Sequence, residues 1–302
     1  MKVSVVIPTI GRASLSTAID SVLAQRFDGE LELIVVSDSV VIPELAADNR
    51  VRRLRVGPGA GANAARQCGI DASSGDVIAL LDDDDVWRAD KIACQLRHAA
   101  MRVDLHGSHP WVSATSTTVT THGRTKVWPR RVITAHEDYA EYMFRLRSVR
   151  MGGSFLQTST MLFPRWIGRD AVRFDPSTGI HDDFAWMLDF RDAFPTAPIL
   201  QTSEPLVAYA ASDNGISHSF AVDKSVRFGR TRLADRPDLL ADFLLTFPVT
   251  RAVDLADHRR IRALIREAVH VGRPSRHALE RAVIEHTRAV VRSSISRRKA
   301  PR

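Results

Sequence analysis

Cysteine is nearly absent from this 302-residue chain, tyrosine is scarce, and no long apolar run occurs. Cys68 and Cys94 are the only cysteines, too few for a disulfide framework or a paired C-x-x-C zinc site. Both fall in segments with helical patterning and read as reduced, buried fillers. No stretch approaches the roughly twenty apolar residues of a membrane span, and the sequence starts directly on a strand pattern. The expectation is a cytoplasmic protein, soluble or peripheral at the inner face of the membrane. Internal repetition is missing, which excludes solenoids and propellers. Aromatic residues are 7% of the chain, and no aromatic platform or recognised module accompanies the basic residues, so no nucleic-acid partner is expected. The length suits one large core, or one core with an appendage. Arg- and Ala-rich usage suggests a GC-rich bacterial genome.

The net charge of +7 is not spread evenly. Residues 251–302 hold fourteen Lys or Arg against five Asp or Glu, so they carry +9 and the remainder carries −2. In that tail Ile261, Leu264, Ile265, Ala268 and Val269 share one helical face. Pro274-Ser275 opens a second helix with Leu279, Val283 and Val290 on a common side. Two readings stand: helices packed on the body with arginines to solvent, or a basic amphipathic surface for anionic lipid. Ser293 to Arg302 reads as disordered.

What the first ninety residues do contain is strand and helix in alternation. Val3–Ile7 is a β-branched run stopped by Pro8, and Leu15, Ile19, Val22 and Leu23 recur at helical spacing. Leu31–Val36 ends in Ser37-Asp38-Ser39, and Val51–Val56 ends in Gly57-Pro58-Gly59-Ala60-Gly61. A helix rich in small residues follows over Ala62–Ala72, and a fourth strand, Val77–Leu81, delivers four aspartates, Asp82 to Asp85. This alternation predicts an α/β fold with a mostly parallel, Rossmann-like sheet and helices on both faces. Ligands of such sheets gather at the carboxyl ends of the strands. Pro8-Thr9, Asp38, the glycine loop and the aspartates would all fall on that edge. Uncompensated carboxylates at a strand end face water or a cation. A hard divalent ion, Mg2+ or Mn2+, takes one or two carboxylates and completes its shell with phosphate and water. A solvated acidic turn is the plainer alternative.

Val3-Ser4-Val5-Val6-Ile7-Pro8-Thr9, Glu32 to Ser39, Gly61 to Ile70 and Leu81-Asp82-Asp83-Asp84-Asp85-Val86-Trp87 together resemble the nucleotide-sugar half of family 2 glycosyltransferases with the GT-A fold. The likeness is close over about the first hundred residues and looser to about 220. It implies a metal-dependent, inverting transfer of a sugar from a nucleoside diphosphate, with UDP the expected nucleotide and Mn2+ or Mg2+ the cofactor. It places Pro8, Thr9 and Asp38 at the nucleotide base and Arg66 near base and phosphates. Asp82 falls at the ribose side, Asp84 at the direct metal ligand, Asp83 at the variable middle of the D-x-D motif and Asp85 at its extra acid. The second strand departs from the family, with Ser37-Asp38 where two acids are common. For Arg66 a helix-surface ion pair is the structural alternative, and for Thr9 a strand-end cap.

Inverting transfer needs a general base. Gly179 to Leu188 resembles the family's E-D motif at the start of a helix, which implies Asp183 as base with Asp182 in the glutamate's place; helix capping is the simpler account. The arginine usual seven residues after that glutamate is Asp189 here, with Arg191 two further on. Phe155 to Phe163 reads as the strand beneath the sugar, Glu137 to Arg147 as a helix, and Leu206 to Ala211 as a later strand. Ser212 to Ser219 resembles a loop near the diphosphate, in which His218 would join the metal shell, or simply face solvent. Trp87, Trp111, Trp128, Trp166 and Trp186 are candidates for sugar stacking or for core packing. The resulting organisation is a glycosyltransferase domain over 1–225, with a nucleotide-sugar half at 1–105 and an acceptor half at 106–225, then a basic helical extension over 226–302. The acceptor is open: a glycan, a lipid-linked sugar or a small molecule. Two other functions remain compatible: a sugar-nucleotide nucleotidyltransferase, for which Pro8-Thr9-Ile10-Gly11-Arg12 is a poor glycine- and lysine-rich loop, and a non-catalytic nucleotide-sugar-binding protein.

Overall fold

A computed structural model describes residues 1–40, 47–121, 123–150, 152–210 and 221–299. The chain divides into two compact units, Met1–Glu137 with Ser154–Ser212, and Asp138–Gly153 with Asp213–Arg302. Residues 138–153, counted above with the acceptor half, thus cluster with the C-terminal helices.

In the first unit the β-branched runs form β1 (Lys2–Thr9), β2 (Glu30–Ser37), β3 (Val51–Arg55) and β4 (Val77–Leu80), all parallel in the order β3-β2-β1-β4. Register aligns Thr9 with Ser37 and Val6 with Leu80, so the carboxyl ends of β1, β2 and β4 finish along one edge. Their residues are buried on both faces because helices cover both. Val3, Val5 and Ile7 share a core with Leu15, Ala18, Ile19 and Val22 of α1 (Leu15–Leu23) and Ile92 and Ala99 of α3 (Lys91–Ala100). On the other face α2 (Ala62–Ala72) sits so close that a Cβ on Gly69 would lie 2.4 Å from Val6 Cγ1. Cys68 and Cys94 lie in α2 and α3 as free thiols, partly rather than fully buried.

Beyond β4 the sheet becomes mixed. A short β8 (Leu162–Pro164) pairs antiparallel with β4, followed by β6 (Val112–Thr121), β9 (Ile199–Tyr209) and β5 (Val86–Trp87). Strand β7 (Arg124–Trp128) forms a hairpin with the far half of β6. Two strand expectations are corrected. Phe155–Phe163 is not one strand: Thr158–Thr160 makes a 3-10 turn, held by Ser159 N donating to Gln157 Oε1 (3.2 Å) and Thr160 Oγ1 to Gln157 O (2.6 Å). Such local side-chain bonds compete with a ladder. Strand β9 begins at Ile199 rather than Leu206, carrying Pro205 at a register shift opposite Ser116. Helix α5 (Asp182–Ala193) closes the unit, its Trp186 ring 4.6 Å from that of Phe163.

The second unit is helical. Asp138 caps α4 (Tyr139–Phe144) through Glu141 N, a shorter helix than 137–147. α6 (Val222–Arg232) packs on α7 (Pro237–Asp254), as do α8 (His258–Val271) and α9 (Arg276–Lys299). α7 is apolar nearly all round, as a central helix must be. Buried Asp242 receives Leu146 N (2.9 Å) and Ser275 N (2.6 Å). On α8 the buried side is Ile261, Leu264 and Ala268, whereas Val269 is exposed. On α9 Ala278, Arg281 and Ala282 face inward, and Val283 and Val290 are exposed, so the helix does not pack through the side that carries those valines. A small-residue contact lets α9 approach closely, a demand that hydrophobic periodicity does not reveal. Helix α9 continues through Lys299, past Ser293. No described helix is long and apolar enough to cross a membrane.

Candidate active site

The carboxyl edge of β1, β2 and β4 gathers polar groups as the alternation predicted, but their hydrogen bonds redistribute several roles. Pro8 and Thr9 are buried at the end of β1. The Thr9 hydroxyl donates to Asp83 Oδ2 (2.6 Å) and accepts from Gly11 N (2.9 Å), so it ties the first loop to the acidic one. Asp38 accepts from Ala60 N and Gly61 N, each at 2.8 Å, one per carboxylate oxygen. It anchors the glycine loop, whose Gly61 begins α2 at φ 91°, a conformation only glycine adopts freely. Each oxygen keeps a second lone pair for a ligand.

The four aspartates face different surroundings. Asp83 is 3% exposed and clamps Thr9 and Arg12 (2.8 Å), so the position read as variable is a buried fastening. Asp85 is fully buried and accepts from Ala210 N (3.0 Å) and Gln157 Nε2 (3.2 Å). Burial and the nearby Asp82 charge push its carboxyl up to about 7. Asp82 and Asp84 remain open, with side chains 27% and 26% exposed. Arg12 reaches Asp84 Oδ2 at 3.0 Å, yet burial and the charges of Asp82 and Asp83 still raise the Asp84 carboxyl above the ordinary range. In the sequence Arg12 stood out only as the end of a poor glycine- and lysine-rich loop, and no role at the acids was assigned to it.

Arg66 is neither a surface ion pair nor an open cation. It is 6% exposed, under the site, donating to Asp82 Oδ1 (2.7 Å) and, more loosely, to Asp182 Oδ2 (3.4 Å). The sheet end thereby meets the start of α5 across one guanidinium. The backbone enters α5 through His181 at φ 56° and ψ 38°, left-handed and costly for a residue with a Cβ. The His181 ring stacks on Phe184 at 5.2 Å, and burial lowers its pKa to about 4. Asp182 is raised by burial against the pull of Arg66. Asp183 accepts Phe184 N at 2.9 Å; burial, reinforced by Asp182, pushes its carboxyl up to about 7. Arg191, the displaced family arginine, donates instead to the carbonyls of Pro195 (2.8 Å), Ala197 (2.9 Å) and Glu137 (3.3 Å).

Tyr209, at the end of β9, was not singled out from the sequence. Its phenol is raised by burial and by the charges of Asp85, Asp82, Asp84 and Asp183, and the next residue donates its N–H to Asp85 (3.0 Å), which brings the end of β9 to the acids. Its ring meets Phe155 at 5.8 Å, and Phe155 meets Trp128 at 5.6 Å. Trp87, Trp111 and Trp186 are core residues, and Trp166 lies against Phe194 at 5.6 Å, leaving Trp128, half-buried and reached from Tyr209 through Phe155, as the remaining stacking candidate. His218 lies outside the described residues. Among the described residues no three His, Cys, Asp or Glu converge as a ready cation cage. The open Asp82 and Asp84 instead offer two hard-oxygen carboxylates, Asp82 paired with Arg66 and Asp84 with Arg12, and the Asp84 carboxyl stays raised despite its partner, a setting that suits Mg2+ or Mn2+ completed by a ligand's phosphates. Chemically, the edge combines an oxygen donor pair for a cation with a carboxylate poised near neutrality.

The model of glycosyl transferase family 2 matches residues 4–158, just over half of the chain. Two curated relatives are similar. Amylovoran biosynthesis glycosyltransferase AmsB of Erwinia amylovora is 29% identical over 195 residues, 60% of this chain and 61% of that protein. Uncharacterized glycosyltransferase alr2836 of Nostoc sp. is 35% identical over 102 residues, 30% of this chain and 31% of the relative. The match thus spans less than two thirds of either relative's length. Among solved structures, S. aureus TarS 1-349 in complex with UDP-GlcNAc has a TM-score of 0.59 at 16% identity, covering 100% of this chain and 93% of that one. A second crystal structure of S. aureus TarS 1-349 has a TM-score of 0.55 at 13% identity with the same coverage. These likenesses show the GT-A type of fold.

Proposed function

Since the chain belongs to glycosyl transferase family 2, we propose that it transfers a sugar from a nucleoside diphosphate, a UDP-sugar such as the UDP-GlcNAc that accompanies TarS, to an acceptor hydroxyl with inversion at the anomeric carbon. The observation that carries this reading is Arg66 holding Asp82 at 2.7 Å and Asp182 at 3.4 Å. It ties Asp82 and the helix that bears Asp183 to the two terminal nitrogens of one guanidinium, which supports a donor acid and an acceptor base working side by side. The acceptor hydroxyl gives its proton to Asp183, whose raised carboxyl matches a base working near pH 7. The acceptor oxygen bonds to the anomeric carbon as the bond from that carbon to the diphosphate oxygen breaks, and the nucleoside diphosphate leaves. Asp84, with Asp82 beside it, would hold Mn2+ or Mg2+, which supplies Lewis-acid neutralisation of the departing diphosphate. Asp38 and the glycine loop it anchors lie where β2 and β3 end, suited to the base. Asp83 and Thr9 keep that loop and the acidic turn in register.

Nucleoside diphosphate release from UDP-GlcNAc, GDP-mannose and dTDP-glucose, with water as acceptor and Mn2+ present, tests this. Slow release from the UDP-sugar that disappears in Asp84→Ala is expected. Release from none of the three in the wild-type protein would contradict it.

A further inference from the structure

Transfer to an acceptor requires a surface leading away from Asp183, and the sheet builds one. β6 runs parallel to β9, pairing Val119 with Tyr209 and Thr117 with Val207, while on its other edge Val119 pairs with Lys126 and Thr117 with Trp128. Directly paired residues project from the same face. Tyr209, Val119 and Lys126 therefore form one row and Val207, Thr117 and Trp128 the next, with Arg124, opposite Thr121, continuing the same face. Val119, Val207 and Thr117 are buried, so what this face offers a ligand is half-buried Tyr209 and Trp128 and exposed Lys126 and Arg124. Phe155 links the rows, edge-on to Tyr209 at 5.8 Å and to Trp128 at 5.6 Å. An aromatic path thus runs from the acids out to β7 and then becomes cationic.

Arg124 and Lys126 are exposed and make no ion pair with any described residue. Arg131, just after the strand, is by contrast neutralised by Glu137 at 2.6 Å. The two cations stand within about 13 Å of Trp128 along the strand, a span longer than one sugar. The acid cluster lies at one end of the path and positive charge at the other, so an acceptor lying along it is neutral where its hydroxyl attacks and anionic further out.

We propose that the acceptor is a glycan chain bearing anionic groups, with a sugar ring on Trp128 and the acid groups of the following residues on Lys126 and Arg124. The assignment rests on the glycosyl-transfer reading above and names its acceptor class. Carboxylate and phosphodiester groups share the recognising chemistry. Charges on an edge strand also discourage sheet-to-sheet association, and that role alone would leave glycan binding indifferent to them.

Calorimetric titration of the full chain with three oligosaccharides of similar length separates these: oligogalacturonate, a phosphodiester-linked sugar oligomer and neutral dextran. The wild-type protein should bind at least one acidic oligomer about tenfold tighter than dextran at low salt, with the preference shrinking as salt rises. Which acidic probe is preferred identifies carboxylate or phosphate as the natural group. R124E/K126E should abolish the preference, and W128A should weaken all binding without removing it. Equal affinity for dextran and both acidic oligomers overturns the proposal, as does a preference kept by R124E/K126E, whether or not that variant aggregates. UDP with Mn2+ should raise the melting temperature of wild type and R124E/K126E alike. Absence of that shift in the wild type counts against the donor reading and leaves the acceptor result standing on its own.

Discussion

Replacing Asp183 by asparagine should remove turnover while leaving the protein at least as stable. The carboxylate oxygen that accepts Phe184 N at 2.9 Å has an equivalent in the asparagine carbonyl, so the start of α5 is retained. Loss of a general base lowers the rate by roughly 10²–10⁴. The pH profile sharpens this expectation. With its carboxyl at about 7, Asp183 is about half ionised at pH 7 and about one-tenth at pH 6, so wild-type UDP release should fall about fivefold between them. Between pH 7 and 8 it should rise less than twofold. Stability runs the other way. The folded state holds this proton more tightly than the unfolded chain, so stability is fully present below about pH 4 and declines as pH rises towards 7. The shift of roughly three pH units sets a ceiling of about 4 kcal/mol, reduced by partial exposure. Asp183→Asn should therefore melt higher than wild type at pH 8, with the gap narrowing as the pH falls and closing only below about pH 4. Coupled UDP-release assays over pH 5.5–8.5, paired with thermal melts, read both effects; a variant with wild-type rate and pH slope would refute the assignment of Asp183.

Arg66→Ala should cost about 3–5 kcal/mol in urea unfolding, because Asp82 and Asp182 are left as uncompensated, partly buried charges; a loss below ~1 kcal/mol, the range of an exposed pair, would show that the pair is not buried in solution. Gly69→Ala should destabilise by about 1–3 kcal/mol, since its Cβ would lie 2.4 Å from Val6 Cγ1 and 3.1 Å from Val36 Cγ2. An unchanged melting temperature would mean that α2 stands further from the sheet.

Local chemistry made much of the first unit legible before any coordinates. Val3–Ile7 and Val77–Leu81 announce themselves as strands through β-branched runs, and Gly57–Gly61 as a loop through its breakers. Because β1, β2 and β4 are parallel, their ends had to share an edge, and Asp38 and Asp82 to Asp85 do so. What stayed hidden was set by tertiary contacts. Asp83 looked like the spare member of its motif, yet Thr9 and Arg12 from another strand's end bury it. Arg66 sits on a helix whose pattern gives no hint that Asp82 and Asp182 close over it. Tyr209 reaches the site only because β9 runs beside β6 from a start at Ile199, a pairing between segments far apart in sequence. In the tail, helical periodicity put Leu279, Val283 and Val290 on one side, but α9 packs through Ala278 and Ala282, and Val283 and Val290 are exposed.

The central claim is that the edge formed by Asp82 and Asp84 takes a nucleoside diphosphate through a divalent cation. Calorimetric titration of UDP into the protein with Mn2+ and then with EDTA, in wild type and Asp84→Ala, addresses it without any acceptor. The account predicts saturable binding in wild type with Mn2+ that is lost in EDTA and in the variant. Equal UDP affinity with and without the cation, or unchanged binding in Asp84→Ala, would contradict it.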